Sequence, residues 1–409
     1  MKFSGIASSV AVLAAVASAT PTPASWTPKS LLATRTIEKR ASVEDACDIG
    51  FCTEGTGTTG GAGGPTTTVT SLADYQAALE AEGAAIVVVN GAISGSARIR
   101  LASDKTVIGL PGSSITGIGH YINKQSNVIL RNLKISKVVA ANGDAIGIQE
   151  STNVWVDHCD LSSDLSHGKD FYDGLLDITR ASDFITVSNT YLHDHHKASL
   201  IGHSDNNAAQ DTGKFHVSYI NNHWENTGSR NPSVRFGTAV HIVNNLYDNV
   251  GLTGVNARMG AQVLVESTSF VNSANPIVSR DSKKLGFVVV KDVIGAADNA
   301  VPKGTLTSVP YAYTALGSAN VGSVAQTAGQ KLTFDGSSAP APAPAPAPAP
   351  PAPATPTAPV EETPEEPATP VESAPATKPS APVADDEEVE EVCTRRRVKK
   401  SLRRKALRA

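Results

Sequence analysis

The chain has 409 residues, 35 Lys and Arg against 39 Asp and Glu, and a formal charge of −4. So near neutral a balance excludes an electrostatic nucleic-acid binder, whose footprint is strongly basic. Four cysteines are too few for a disulfide scaffold at this length, though they suit an oxidising compartment.

In chain order, Met1-Lys2 opens an apolar run to about Val16, closed by Ala17-Ser18-Ala19. A basic start, a short apolar stretch and a small-residue cleavage site describe a secretory signal over 1–19, too short to span a bilayer. No other stretch is long and apolar enough to span one, so a secreted, extracellular protein without a membrane partner is expected. Residues 20–40 are polar, end in Lys39-Arg40 and read as a propeptide cut at a dibasic site. One folded domain is expected over 41–336. From 337 to 409 the composition changes to an Ala-Pro repeat, an acidic Pro-rich stretch and a basic end from Arg395 to Arg408. Ala-Pro repeats cannot bury a core and opposed charge blocks stay solvated, so a disordered tail is expected. Cys47 and Cys52 are near enough to close a small loop, Cys159 lies among strand-like residues and Cys393 lies in the tail; three pairings stay open. No Asn-x-Ser/Thr acceptor (x not Pro) occurs.

Gly60–Gly64 lacks the Lys-Ser/Thr of a phosphate loop and reads as a flexible linker. Thr70–Gly83 reads as a helix: Ser71 can cap it, Asp74 complements its first turn, and Leu72, Tyr75 and Leu79 share a face. Beyond it come short β-branched runs, each ending in a polar residue. The polar positions Asn132, His158, Asn189, Asn221, Asn244 and Ser267 are 26, 31, 32, 23 and 23 residues apart. A repeat of that length with strand-turn-strand content signals a solenoid. A β-sandwich would want hairpin turns and closer spacing. The fold class read here is all-β, a right-handed parallel β-helix whose coils stack about 4.8 Å apart. Recurrent Asn at one bend can then bond along the axis, and the Thr70–Gly83 helix would cap the open N-terminal end. The long intervals place inserted loops within His158–Asn221, and insertions of a solenoid gather on the binding face.

Asp144, one coil before the insertions, and Asp173 and Asp177, four apart within them, can converge on one face of such a solenoid. Three carboxylates there repel unless a cation is bound, and an all-oxygen set favours Ca²⁺. The spacing is not that of an EF-hand loop. Lys197 follows, beside His193, His195 and His196; with no further ligand at suitable spacing these read as polar loop histidines, not a zinc site. Arg230 and Arg235 flank Pro232, and each offers a rigid fork of donors suited to carboxylates. The proline restricts the backbone there, so a stiff bend is expected at Arg230.

Asn153-Val-Trp-Val-Asp157-His158, the Asp173/Asp177 pair, Lys197 and Arg230-x-Pro-x-x-Arg235, in this order, resemble the pectate lyase family of secreted parallel β-helix enzymes. The resemblance covers roughly Gly55–Phe334, including Gly254-Val-Asn-Ala-Arg258 and Asn275-Pro-Ile-Val-Ser-Arg280. It implies Ca²⁺ at Asp144, Asp173 and Asp177, Arg230 as catalytic base, and substrate held by Lys197, Arg235 and Arg258. Asp157 and His158 resemble a framework motif near the site. The implied reaction is Ca²⁺-dependent β-elimination of α-1,4-linked polygalacturonate to 4,5-unsaturated products. A guanidinium ordinarily keeps its proton, so cationic neighbours and a rate rising into alkaline pH are expected. Three rivals stand beside this reading: a calcium-independent pectin lyase on methylated pectin, a hydrolase with paired carboxylates, and a non-catalytic pectin-binding β-helix. The acidic set and Lys197 favour the de-esterified polymer. Nothing indicates an oligomer, and a monomer is expected.

Overall fold

The computed structural model describes residues 41–296 and 301–335. The expected signal, propeptide and tail, and with them Cys393, lie outside these residues. Within them the chain winds through three parallel sheets. The first runs from Thr66–Val69 through Ala85–Val89, Lys105–Gly109, Ser126–Arg131, Thr152–Asp157, Asp183–Ser188, His216–Ile220 and Ala239–Val243 to the start of Gln262–Val271 and Phe287–Ile294. The second includes Lys134–Ser136, Asp160–Ser162, Tyr191–Lys197, His223–Ser229 and Leu246–Asp248. The third includes Ile146–Gln149, Leu176–Thr179, Leu200–Ile201, Ser233–Arg235, Val255–Arg258 and Ile277–Val278. The long strands Ala92–Leu101 and Ser114–Asn123 bend from the second sheet into the third. This is a parallel β-helix.

The repeat read from the sequence is the structural register. Arg131 pairs with Asp157, Asp157 with Ser188, Ser188 with Ile220 and Ile220 with Val243. The residues after these strand ends, Asn132, His158, Asn189, Asn221 and Asn244, and Ser267 on the next coil, all have φ between 47° and 57°. That left-handed corner costs most residues about 1–2 kcal/mol, and Asn bears it best by bonding locally. Here Asn244 donates to Asn221 Oδ1 at 3.0 Å, Asn221 to Asn189 Oδ1 at 3.3 Å, and Asn189 to Asp157 Oδ1 at 3.0 Å. A second ladder, Asn249 to Asn226 to Asp194, runs at another left-handed corner.

Alternation turns Val154, Val156, Ile185, Val187, Val217 and Tyr219 into the continuous interior core. The predicted helix is Leu72–Glu80; Ser71 Oγ accepts from the Asp74 amide at 3.2 Å, and Tyr75 and Leu79 join the core at its N-terminal end. The Tyr75 hydroxyl meets His120 Nε2 at 2.7 Å inside the cap.

Gly60–Gly64 is not a linker. The Gly60 amide donates to Asn127 Oδ1 at 2.7 Å and that of Gly61 to Thr106 Oγ1 at 2.9 Å. A Cβ on Gly61 would fall 1.9 Å from the Ala85 carbonyl oxygen. The glycines let the chain lie against the first sheet, a contact that composition alone does not disclose.

The segments 41–59, 301–316 and 330–335 lie along the outer face of that sheet, and Val321, Val324 and Ala328 pack on Leu246 and Tyr191 of the second. The Phe51 amide donates to Ser218 Oγ and the Cys52 amide to Thr186 Oγ1, both at 3.0 Å. Phe334 packs on Ile86, Val88 and Ile108. Cys47 is disulfide-bonded to Cys52, and Cys159 is free and buried. Asp157 belongs to this face too: it accepts from Arg131 Nε at 2.9 Å, from Ser188 Oγ at 2.7 Å and from His158 Nδ1 at 2.8 Å, while Arg131 also reaches Asp45. The motif is framework, as expected, but it ties the N-terminal segment to the first sheet.

The two insertions occupy residues 163–175, between the second and third sheets, and 202–215, between the third and the first. Both border the third sheet, one at each edge.

Candidate active site

The third sheet presents an outward column in register: Gly147, Asp177, Leu200, Ser233 and Asn256. Asp144 enters the sheet just after the left-handed turn at Gly143. Two glycines make room for its carboxylate. A Cβ on Gly147 would fall 2.9 Å from Asp144 Oδ2, and one on Gly174 would fall 2.4 Å from Asp177 Oδ1 and 2.9 Å from Asp144 Oδ1. The two carboxylates therefore face each other across Gly174, whose amide donates to Asp144 Oδ1 at 2.9 Å. The Leu200 amide donates to Asp177 Oδ1 at 3.0 Å.

Burial, then the negative charge of Asp177 and Asp173, pushes Asp144 well above the usual carboxylate range. Burial also pushes Asp177 up, and Asp173 adds to it, while Arg230 and Lys197 pull the other way. The expected convergence is thus real for Asp144 and Asp177. Asp173 sits farther out on the first insertion, where its Oδ1 lies 3.4 Å from Lys197 Nζ. Among the described residues no three acidic, histidine or cysteine side chains form a ready cage.

Lys197 closes its second-sheet strand and Arg230 follows directly after the neighbouring one, Lys197 pairing with Ser229. Both thus stand at the corner beside the carboxylates. Lys197 is also 3.2 Å from Asp170, a residue the sequence did not single out. The bend at Arg230 is present: its φ is 60°, the Asn231–Pro232 peptide is cis, and its carbonyl accepts from the Ser199 amide at 2.6 Å.

The histidines hold the loop. His195 donates Nε2–H to the Asp173 carbonyl at 2.6 Å, and His196 donates Nε2–H to the His167 carbonyl at 2.9 Å. Burial lowers His195 to about 4, so it stays neutral at physiological pH. His193 lies between Asp160 and Asp194, at 3.1 and 2.8 Å.

Arg235 and Arg258 sit opposite each other one coil apart, each less than a tenth exposed. Asp205, on the second insertion, organises them. Its Oδ1 accepts from Arg235 Nε at 2.7 Å and from Ser282 Oγ at 2.6 Å, and Ser282 in turn accepts from Arg258 Nε at 2.6 Å. Sequence reasoning missed Asp205, since only the coiling brings it 30 residues back onto Arg235.

This arrangement is that of a polyuronide-cleaving β-helix. The family model described as pectate lyase matches residues 24–332, and the chain belongs to that family. A pectate lyase from Emericella nidulans is 58% identical over 327 residues, 78% of this chain and 98% of the relative. Pectate lyase B of Colletotrichum gloeosporioides is 57% identical over 303 residues, 73% and 90% of the two chains. The crystal structure of a Bacillus pectate lyase in complex with trigalacturonate superposes with a TM-score of 0.64 at 27% identity, covering 69% of this chain and 98% of that one.

Proposed function

We propose that the protein is a secreted pectate lyase that cleaves de-esterified polygalacturonate by calcium-dependent β-elimination. The observation that carries this reading is the facing pair Asp144 and Asp177, raised by burial and by neighbouring aspartate charge, at the same corner as Lys197 and Arg230. Membership of the family supports it, as does the trigalacturonate complex of the Bacillus relative. The apolar run before Ala19 and the Cys47–Cys52 disulfide support export.

The donor set fits a hard cation. Asp144 and Asp177 are two hydrogen-bonded carboxylates with no arginine or lysine ion pair of their own among the described residues, and every candidate donor is oxygen. Asp144, Asp177 and Asp173 would hold Ca²⁺, with Asp173 leaving Lys197. When bound, the ion supplies positive charge against the substrate carboxylate as the neighbouring C–H bond is broken.

The chain's own residues do the rest. Freed of Asp173 and exchanging the exposed Asp170 for substrate, the Lys197 ammonium takes a uronate carboxylate and fixes the ring. Arg235, held by Asp205, adds a fixed positive field along the same sheet. Arg230 projects from a left-handed corner whose backbone is bound to Ser199, which fixes the point and direction from which its side chain leaves the chain. It takes the C5 proton, or stabilises the developing charge while hydroxide takes it; the C4–O bond then breaks to leave a 4,5-unsaturated end. Either route predicts a rate rising into alkaline pH.

Ultraviolet absorbance of the products from polygalacturonate and from methylated pectin, each with and without Ca²⁺, tests the proposal. Unsaturated product from polygalacturonate only with Ca²⁺ is expected. New reducing ends without absorbance would identify a hydrolase, and full activity on methylated pectin in excess chelator a pectin lyase. Binding of polymer without new ends would leave a non-catalytic module.

A further inference from the structure

The outward column of the third sheet continues past the carboxylates toward the N-terminal coils. Arg100 pairs with Tyr121, Tyr121 with Gly147, and Gly147 with Asp177. Ile99 is fully buried, so alternation turns both Arg98 and Arg100 outward, and both are exposed. The Arg98 guanidinium carbon lies 3.9 Å from the centre of the Tyr121 ring. Tyr121 is fixed by its hydroxyl, which donates to Gln149 Oε1 at 2.6 Å. Arg100 Nη2 donates to the carbonyl and to Oδ1 of Asn123, both at 3.3 Å.

The charge accounting sets these arginines apart. Elsewhere around the cleft, Lys197 and Arg235 are each paired with an aspartate, at 3.2 and 2.7 Å. Among the described residues neither Arg98 nor Arg100 forms an ion pair, and the nearby Glu150 is met by Lys124 at 3.8 Å. Two outward cations, one with its guanidinium over an aromatic ring, therefore stand on the cleft face without a salt bridge among the described residues. The nearest acidic charge acting on Arg98 is that of Asp144 in the cleft itself. A guanidinium stacked by its face keeps its edge donors for a planar carboxylate and loses little freedom on binding one.

We propose that Arg98, Tyr121 and Arg100 form a distal subsite for a carboxylate-bearing sugar of a polyuronide, extending the cleft from Asp177 toward the N-terminal end. Coils stack about 4.8 Å apart, so Tyr121 lies roughly 10 Å and Arg100 roughly 14 Å along the axis from Asp177. A pyranose unit is about as long as one coil spacing. Lys197 lies one coil beyond Asp177, so a chain laid along the axis with a sugar at Lys197 brings sugars three and four units farther on over Tyr121 and Arg100, where a trimer stops short. The identity of the ligand rests on the pectate lyase reading; the position of the subsite does not.

The test compares wild type with the double variant R98Q/R100Q, both changes on exposed side chains. kcat/KM is measured on trigalacturonate and hexagalacturonate, and affinity for polygalacturonate is measured by affinity electrophoresis in chelator, where turnover does not intervene. The hexamer-to-trimer ratio of kcat/KM should fall about tenfold, and the affinity with it, for the loss of charge-assisted contacts. R98K/R100K should restore only part, because an ammonium lacks the bidentate fork. An unchanged ratio and affinity would overturn the subsite. Equal loss on both lengths would also overturn it, assigning Arg98 to the field at Asp144. If wild type turns over neither oligomer, the lyase reading fails alone, and the affinity comparison still decides the subsite.

Discussion

Two outer faces of this β-helix bury charged groups, and they treat them in opposite ways. On the first sheet Asp157 is fully buried, and burial alone would raise it. His158, Arg131 and Asn189 outweigh that and hold it below its usual range. Glu266, on the same face, is likewise opposed by burial but brought to about 2 by His241 and Tyr313. On the third sheet Asp144 and Asp177 receive one backbone amide each and face each other, so burial and repulsion win. A carboxylate with all its partners inside the protein stabilises a fold. One whose partners are missing is poised for something from outside. The contrast locates function more sharply than the presence of aspartates does.

The largest expected effect sharpens the functional side. Arg230→Lys should lower kcat by on the order of 10²–10⁴, the range of a positioned proton-transfer group, while calorimetric Ca²⁺ affinity stays intact. An active variant would remove Arg230 from the chemistry. Chelation of the wild-type enzyme should abolish the absorbance signal, and added Ca²⁺ should restore it.

The next effects break the comparison directly, because loss of a carboxylate should act with opposite signs on the two faces. Asp157→Ala leaves the buried Arg131 with only Asp45, and Ser188, Asn189 and His158 without their acceptor. It should cost on the order of 3 kcal/mol in denaturant unfolding. Asp177→Asn removes a repelled charge and should stabilise the metal-free protein by on the order of 1–3 kcal/mol, while weakening Ca²⁺ binding. Equal signs in the two variants would refute the distinction.

Acid should expose the first face. The Glu266 carboxyl is lowered in the fold, so its contribution is present above the unfolded value, about 4.3, and is lost as pH falls through about 2. The expected loss is on the order of 1–2 kcal/mol once solvent screening is allowed for, and Glu266→Gln should flatten that part of the stability profile. The smallest effect is a control at the cap: Ser71→Ala should cost about 1 kcal/mol, with no change in kcat.

The family motifs and the repeat were legible because a solenoid writes its geometry into spacing. Each coil needs a left-handed corner, and Asn132, Asn189, Asn221 and Asn244 mark it at fixed intervals. The same register foretold that Asp144 and Asp177 share a face. Other features left no local trace. Gly60–Gly64 has the composition of a linker, and only the approach of Ala85 shows why side chains are excluded. Asp157 and His158 stand in a motif suggestive of the site, yet side-chain direction puts their contacts on the other sheet.

By itself the sequence determined the coil length, the capping helix, the places of the insertions and the residues of the acidic and basic set. These follow from periodicity, capping chemistry and residue type, which act within a turn or two of chain. Only the tertiary structure decided which charges are matched. Asp205 reaches Arg235 across 30 residues, Lys197 is held by Asp170 and Asp173, and Arg98 rests on Tyr121. Electrostatic balance is a property of neighbours in space, and in a β-helix those neighbours lie one whole coil apart in sequence.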